Sequence, residues 1–245
     1  MILIYMHFQL KEIIFFVSLL FVNYLIGQEL FIEGGGTLND WANLSRYKEE
    51  NNKLLNSSDE LKVVFMGNSI TESWSHFDPD FFLTNSYINR GISGQTTPQM
   101  LIRFKPDVIN LKPKAVAILA GINDIAGNTG PMQVENIAEN IQSMAEISKA
   151  NEIQVLICSV LPAIDFPWSP GLNPSTKVLR LNKLLKNYCR ENNIIYVDYY
   201  SSMVDKNGGL KVPEYTSSDD LVHPNKKGYE VMSNIIQDSL KKVLE

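Results

Sequence analysis

Short apolar runs rich in β-branched residues recur along the chain from about residue 61 onward. Each run is too short for a helix and shows little polar alternation, as expected of strands that are covered on both faces. The pattern predicts strands over Lys62–Met66, Ser86–Asn89, Ala115–Ala120, Ile153–Val160 and Ile194–Val197.

Longer stretches with apolar positions three and four residues apart lie between these runs. They predict helices over Thr71–Leu83, Thr97–Phe104, Pro131–Lys149, Thr176–Asn192 and Asn225–Leu244. Because strands and helices alternate, we predict an α/β fold, namely a three-layer α/β/α sandwich around a central five-stranded parallel sheet.

The N-terminal segment has a different pattern. Residues 1–27 carry Lys11, then an apolar run from Ile13 to Val22, then small and polar residues up to Gly27. This order is typical of a secretory signal peptide. A membrane anchor is the alternative, but the run is shorter than the ~20 apolar residues that a spanning helix needs. We therefore expect cleavage near Gly27, a secreted or periplasmic protein, and no stable membrane anchor afterwards.

The remaining chain is predicted to form an N-terminal extension over residues 28–60 and a single domain over residues 61–245. The extension is polar and irregular, with a short helix predicted over Trp41–Asn51. We expect it to pack on the domain.

Charge and cysteine content exclude several classes of protein. The formal net charge is −5 with a pI near 5.3, and no basic run is present, which argues against a nucleic-acid partner. The only cysteines are Cys158 in a predicted strand and Cys189 in a predicted helix, so neither a disulfide framework nor a paired-cysteine metal site is indicated. We expect no metal and no cofactor.

Polar motifs follow directly on three of the predicted strands. They are Gly67-Asn68-Ser69, Asn89-Arg90-Gly91 and Gly121-Ile122-Asn123-Asp124. Because ligands bind outside the carboxyl ends of parallel strands, we expect these motifs to meet at one edge of the sheet. A fourth motif near the C-terminus reads Asp220-Leu221-Val222-His223-Pro224.

A serine nucleophile requires an imidazole to take its proton and a carboxylate to orient the imidazole. The chain has three histidines, of which His7 lies in the predicted leader and His76 follows Ser69 too closely to reach over its hydroxyl. His223 is the remaining candidate, and Asp220 precedes it by one short turn.

The four motifs, in this order, resemble the four blocks of the SGNH (GDSL-type) esterase and lipase superfamily. The resemblance covers the chain from about residue 61 to the end, and it implies a flavodoxin-like SGNH hydrolase fold. It also implies catalytic roles for Ser69, Asp220 and His223, and an oxyanion hole formed by the N–H groups of Ser69 and Gly91 and the side chain of Asn123.

One residue departs from the family pattern, because Asn68 stands where aspartate is commoner. The amide keeps an acceptor that can order the turn but loses a charge. We expect activity to survive and the pH profile to shift, and we place Asn68 with Trp168 among the expected substrate-binding residues.

Each assignment has a structural alternative. Ser69 could simply cap the helix that begins there, and Asn123 and Asp124 could be ordinary turn residues. Asp219 competes with Asp220 as the orienting acid, and only the family spacing separates them. An α/β-hydrolase nucleophile elbow is disfavoured, since Thr71 stands where its second glycine belongs.

The proline-rich segment Pro162–Pro174 follows a predicted strand and is expected to overhang the site, where loops commonly carry specificity. Its Trp168 could stack on a sugar, form a wall of an acyl pocket, or close the core. No long apolar lid segment is evident, which favours a small acyl group, acetyl in particular.

The resemblance extends to platelet-activating-factor acetylhydrolase-like proteins and carbohydrate acetylesterases. It implies a serine esterase that hydrolyses small O-acyl esters, on carbohydrate, through an acyl-enzyme. The expected partner is a small-molecule or glycan ester, and the oligomeric state is left open. The alternatives are a lysophospholipase or thioesterase of the same superfamily, or a degenerate hydrolase that binds glycans without turnover.

Overall fold

The structure, a computed structural model, describes residues 31–32, 36–58 and 60–244. The predicted signal peptide over residues 1–27 lies outside the described residues. Among the helices of the described part, none combines the length and the apolar character needed to cross a bilayer.

A parallel sheet forms the centre of the fold. Its strands are β3 (Val63–Gly67), β4 (Tyr87–Gly91), β5 (Ala115–Leu119), β6 (Gln154–Cys158) and β7 (Ile195–Val197). They lie in the order β4-β3-β5-β6-β7, and every neighbouring pair is parallel. All residues of β3 and β5 are buried, so helices cover both faces. The predicted five-stranded parallel α/β sandwich is confirmed. A separate antiparallel pair joins β1 (Phe31–Ile32) to β2 (Gly36–Thr37).

Helices connect the strands and follow the last of them. They are α1 (Lys48–Leu55), α2 (Ser69–Phe77), α3 (Pro79–Leu83), α4 (Thr97–Asp107), α5 (Ile122–Ala126), α6 (Val134–Ala150), α7 (Ser175–Asn192), α8 (Tyr200–Met203) and α9 (Lys226–Leu244), with a 3₁₀ turn at Ile109–Leu111.

The helix predicted over Thr71–Leu83 is two helices, α2 and α3. Pro79 has no N–H to continue the ladder and is suited to the first position of a new helix. The Asp78 side chain accepts a hydrogen bond from Phe81 N and caps α3. The break therefore has a local cause that the apolar spacing alone does not reveal.

The helix predicted over Trp41–Asn51 begins later, at Lys48. The Asp40 carboxylate accepts hydrogen bonds from Leu44 N at 2.7 Å and Ser45 N at 2.9 Å. These bonds hold the preceding residues in turns and lower the pKa of Asp40. Such a local side-chain bond competes with helix formation.

The C-terminal helix α9 holds the start of α2 in place. Tyr229 donates its hydroxyl hydrogen to Ile70 O at 2.9 Å, and Ser233 Oγ accepts from Trp74 Nε1 at 3.0 Å. Trp74 also stacks on Phe81, with ring centroids 5.1 Å apart. These contacts fix the helix that begins at Ser69.

Candidate active site

Ser69 is the first residue of α2, directly after the turn that ends β3. The Asn68 side chain caps the helix, since its Oδ1 accepts from Ile70 N at 3.0 Å. Within the described residues no group accepts a hydrogen bond from Ser69 N–H, as expected for the first turn of a helix. This N–H points away from the helix at its electropositive end.

Asn68 itself is only 1% exposed. Its side chain is occupied with the turn beneath the serine, because the cap keeps it inside the fold. The expected substrate contact of Asn68 is therefore corrected, and the residue supports the position of Ser69.

The structure brings Ser69, His223 and Asp220 together although Ser69 and His223 lie 154 residues apart in sequence. Ser69 Oγ lies 2.8 Å from His223 Nε2. On the other side of the ring, His223 Nδ1 lies 2.8 Å from Asp220 Oδ1 and 3.0 Å from Asp220 Oδ2. A hydrogen on Nδ1 facing the carboxylate leaves Nε2 as the acceptor for the serine hydroxyl.

The Asp220 carboxylate also orders the backbone that carries the histidine. Its Oδ1 accepts from Val222 N at 3.1 Å and from His223 N at 2.7 Å. Leu221 between them adopts a positive φ of 64°. Asp219, the competing acid, contacts Ser218 instead. The geometry thus favours Asp220 over Asp219, in agreement with the family spacing.

Asn123 lies in α5, just after β5, and is buried. Its Nδ2 donates one hydrogen bond to Gln95 O at 3.0 Å, which leaves the second amide hydrogen for another acceptor. The side chain lines the same cavity as Ser69 and His223.

Gly91 differs from the expectation. Its N–H donates to Asn89 Oδ1 at 2.8 Å, and a Cβ at this position would lie 2.1 Å from Glu72 N. Gly91 is therefore a close-packing glycine against the first turn of α2, because only a residue without a side chain allows the strand so near the helix. Its predicted role as an oxyanion donor is corrected.

Gly94, which the sequence interpretation passed over, lines the cavity beside Ser69 and Asn123. It has a φ of +77°, which favours glycine. Its N–H has no acceptor among the described residues. The Ser93-Gly94 pair is the sequence signal that could have identified it, since a serine-glycine pair is typical of a turn.

Asp124 is a further residue whose importance the turn interpretation did not reveal. It is 1% exposed and accepts from Thr97 N at 2.9 Å and Thr97 Oγ1 at 2.6 Å. Burial raises the pKa of Asp124 to about 6, although these hydrogen bonds oppose the shift. The carboxylate joins the start of α4 to α5 and so holds the loop that precedes α4, which carries Gly94, beside Asn123.

Two cavities meet at the Ser69 hydroxyl. The Trp168 lobe has a volume of about 270 Å³ and is lined by Ser69, Ser93, Gly94, Asn123, Asn128, Trp168 and His223. The Phe77 lobe has a volume of about 450 Å³ and is lined by Ser69, Ser73, Phe77, Ser93, Ser217, Asp220, His223, Pro224 and Asn225. Among these residues there is no lysine or arginine.

Trp168 is partly exposed and lies at the site rather than in the core. Its ring packs on Phe166 with centroids 5.2 Å apart and lies 6.2 Å from the His223 ring. His76, in contrast, is exposed and takes no part in the cluster. Among the described residues no group of histidine, cysteine and acidic side chains could hold a metal ion.

Comparison with known proteins places this arrangement in context. The model of the GDSL-like Lipase/Acylhydrolase family matches residues 65–231. A crystal structure from Bacteroides fragilis NCTC 9343, which carries a provisional acylhydrolase assignment, is 50% identical. It covers 84% of this chain and 99% of its own, with a TM-score of 0.80.

Two more distant relatives are informative. The uncharacterized lipoprotein YqeF of Bacillus subtilis is 26% identical over 174 residues, which is 62% of this chain and 72% of YqeF. A variant of Axe2, an acetylxylan esterase from Geobacillus stearothermophilus, is 18% identical and covers 73% of this chain and 93% of its own, with a TM-score of 0.60. At that identity the likeness to Axe2 shows the shared fold alone.

Proposed function

We propose that this chain, which belongs to the GDSL-like Lipase/Acylhydrolase family, is a serine esterase that acts through an acyl-enzyme. In this proposal it removes small O-acyl groups, acetyl in particular, from carbohydrate. The observation that carries the proposal is the contact of 2.8 Å between Ser69 Oγ and His223 Nε2, with Asp220 on the opposite side of the ring.

In the first half-reaction, Ser69 Oγ attacks the ester carbonyl carbon while His223 Nε2 takes the hydroxyl proton. The Asp220 carboxylate stabilises the imidazolium that forms. The carbonyl oxygen becomes an oxyanion, and the proposed donors to it are Ser69 N–H, Gly94 N–H and the free hydrogen of Asn123 Nδ2. His223 then returns its proton to the leaving alcohol as the carbon–oxygen bond breaks.

In the second half-reaction, water attacks the acyl group on Ser69 and His223 takes a proton from it. The same donors hold the second oxyanion. His223 then protonates Ser69 Oγ, the carboxylic acid leaves, and the free enzyme is restored.

The size of the Trp168 lobe supports a small acyl group. The proposed oxyanion donors Gly94 and Asn123 line this lobe, and so the carbonyl of a bound ester would sit there. The lobe has a volume of about 270 Å³, which must hold both the carbonyl and the acyl chain, and Trp168 forms one of its walls. An acetyl group fits such a space more readily than a long acyl chain does.

The Phe77 lobe supports a neutral, hydroxyl-bearing leaving group. Phe77 is partly exposed, and its ring stacks on that of Tyr229 with centroids 5.2 Å apart. Ser73 and Ser217 line the same lobe. Aromatic faces and hydroxyls suit a sugar, whereas the lack of a basic lining residue disfavours a phosphate-bearing headgroup. The acetylxylan esterase activity of Axe2 is in line with this choice.

Export of the protein remains part of the proposal. The order of residues 1–27 predicts a signal peptide, and the related YqeF is described as a lipoprotein. We retain residues 28–60 as an N-terminal extension and residues 61–245 as the hydrolase domain.

Release of the carboxylic acid, acetate from acetylated glycans or fatty acid from lysophospholipids, tests the function. The wild-type protein is expected to release acetate from acetylated glycans and from an activated acetyl ester, and Ser69→Ala to release none above background. Equal release by both proteins would contradict the esterase proposal. Preferred cleavage of lysophospholipids would favour the lysophospholipase alternative, and glycan binding without turnover would favour the degenerate hydrolase.

A further inference from the structure

Arg103 in α4 places a fully buried guanidinium beneath the loops at the carboxyl edge of the sheet. Its side chain is 0% exposed. Nη2 donates to Gly67 O at 2.9 Å and to Arg90 O at 2.8 Å, Nε donates to Gln95 Oε1, and Nη1 donates to Asp107 Oδ2 at 2.9 Å. Four of the five N–H groups of the guanidinium therefore donate hydrogen bonds to protein acceptors.

Three of the four acceptors belong to segments that carry the proposed oxyanion donors. Gly67 O lies two residues before Ser69, at the end of β3. Arg90 O lies at the end of β4, on the chain that leads to Gly94. Gln95 directly follows Gly94, and its own carbonyl oxygen accepts from Asn123 Nδ2 at 3.0 Å. One planar group therefore fixes the spacing of all three donors.

Stability alone is a poor reason for this arrangement. Burial lowers the pKa of Arg103, and the ion pair with Asp107 opposes the shift. A buried ion pair often stabilises a fold no better than apolar side chains of the same volume would. What apolar side chains cannot supply is a rigid set of donors with fixed angles between them.

We propose that Arg103 is a positioning residue that sets the geometry of the oxyanion hole. The inference rests on the proposed function, because it requires an oxyanion to form at Ser69. Arg103 acts through the backbone at the ends of β3 and β4 and through the Gln95 side chain, and it does not touch the substrate.

The N-terminal extension, residues 28–60, contributes to the same hydrogen-bond network. Asn51 Nδ2 donates to Asp107 Oδ1 at 2.7 Å, and Gln95 Nε2 donates to Ala42 O at 2.8 Å. Ala42 and Asn51 lie outside residues 65–231, the part that the family model matches. The segment that precedes the matched part therefore fixes the partners of Arg103 in this chain.

Two variants test the inference in the full chain. Arg103→Lys keeps a positive charge beside Asp107, but its donors lie on a single nitrogen and cannot reproduce four contacts made from three nitrogens of a planar group. Gln95→Met keeps the volume and the backbone carbonyl but removes the acceptor of Arg103 Nε, and it decides the matter if Arg103→Lys does not fold. The matched control is Leu185→Ala, which opens a cavity in the buried face of α7, away from the site.

The measurements are the melting temperature, kcat and KM for an activated acetyl ester, and the affinity for a phosphonate transition-state analogue. For the two test variants we expect kcat and analogue affinity to fall together by about tenfold or more, with KM nearly unchanged, because only transition-state binding is lost. Leu185→Ala is expected to lower the melting temperature without changing kcat at a temperature where it is folded.

Values of kcat and analogue affinity within twofold of wild type in a folded Arg103→Lys or Gln95→Met protein would overturn the inference, even if the melting temperature falls. Failure of the proposed function looks different. In that case the wild-type protein itself hydrolyses the activated ester no faster than Ser69→Ala.

Discussion

At the residue scale, each member of the cluster depends on a neighbour to be chemically useful. Ser69 Oγ faces Nε2 of His223, which can accept the hydroxyl proton when the ring hydrogen lies on Nδ1 and faces Asp220. The same carboxylate accepts from the His223 backbone N–H, so it fixes both the ring and its main chain. The effects of substituting these residues on kcat are therefore not expected to add when the substitutions are combined.

Asn123 provides the most selective test of the oxyanion hole. We expect Asn123→Ala to lower kcat for an activated acetyl ester by about 100-fold or more, with a small change in KM, because one donor to the developing charge is lost. The exposed Asn110, at the opposite end of the sheet, is the control. Steady-state kinetics in which Asn123→Ala and Asn110→Ala both match wild type would rule out a role for Asn123 in the hole.

Trp168 is expected to set the acyl length. Wild-type kcat/KM is predicted to fall steeply from acetyl to octanoyl esters, because each excess methylene must be accommodated in a small lobe at a cost of about 1–3 kcal/mol. Trp168→Ala enlarges the lobe and should move the preference toward longer chains. An unchanged acyl-length profile in the variant would show that Trp168 is not the wall.

At the element scale, the start of α2 decides where the nucleophile lies. The Asn68 cap satisfies Ile70 N and leaves Ser69 N–H free at the helix end. The position of Ser69 is thus set jointly by the strand, the cap and the contacts of α2 with α9.

Substitutions at Asn68 test the cap directly. Asn68→Ala is expected to lower the free energy of unfolding by about 1 kcal/mol, because the first turn loses its acceptor. Asn68→Asp retains the acceptor and places a negative charge at the helix N-terminus, so stability and activity should both persist. Urea unfolding of the two variants checks this, and equal destabilisation by both would contradict the capping role.

The link from α4 to α5 through Asp124 predicts a pH effect on stability. Since the fold raises the pKa of Asp124 to about 6 from an ordinary value of 3.8, the folded state binds the proton more tightly than the unfolded state does. The contribution of Asp124 to stability is therefore fully present below about pH 4 and is lost as the pH rises through about 6. Its total size is on the order of 3 kcal/mol.

The difference in unfolding free energy between wild type and Asp124→Asn isolates this contribution from all other carboxylates. Wild type should lose stability relative to the variant between pH 4 and pH 7. A constant difference across this range would show that burial does not raise the pKa of Asp124.

Much of the element pattern was predictable from the sequence, and the exceptions have local causes. The strands were visible because buried parallel strands are continuous apolar runs, and three of the four candidate motifs were visible because they follow those strands. The division between α2 and α3 depends on Asp78 and Pro79, and the late start of α1 depends on the Asp40 carboxylate. Neither effect changes the hydrophobic spacing.

The site was less predictable than the fold for a similar reason. Whether Gly91 or Gly94 offers a free N–H depends on a hydrogen bond from Gly91 to Asn89, which no spacing rule contains. The choice of Asp220 over Asp219 rested on the family spacing alone, and its physical reason is the geometry of the turn around Leu221. The Arg103 network joins loops that are distant in sequence and has no local motif.

At the scale of the whole molecule, the sheet brings the candidate catalytic groups together from distant parts of the chain. The strand ends supply Ser69 and the loops with Gly94 and Asn123, and the segment before α9 supplies Asp220 and His223. Two lobes flank the hydroxyl, and their lining among the described residues includes no lysine or arginine, in line with the proposed small acyl group on an uncharged alcohol. The proposed activity therefore depends on the complete fold rather than on any one motif.

Intact-mass spectrometry after treatment with a fluorophosphonate tests the central claim, that His223 activates Ser69, most directly. The account predicts a single adduct on the wild-type protein, located at Ser69 by peptide mapping. It also predicts that His223→Gln reacts at least about 100-fold more slowly, because the proton acceptor is lost. Labelling at another residue, or equal rates for wild type and His223→Gln, would contradict the account.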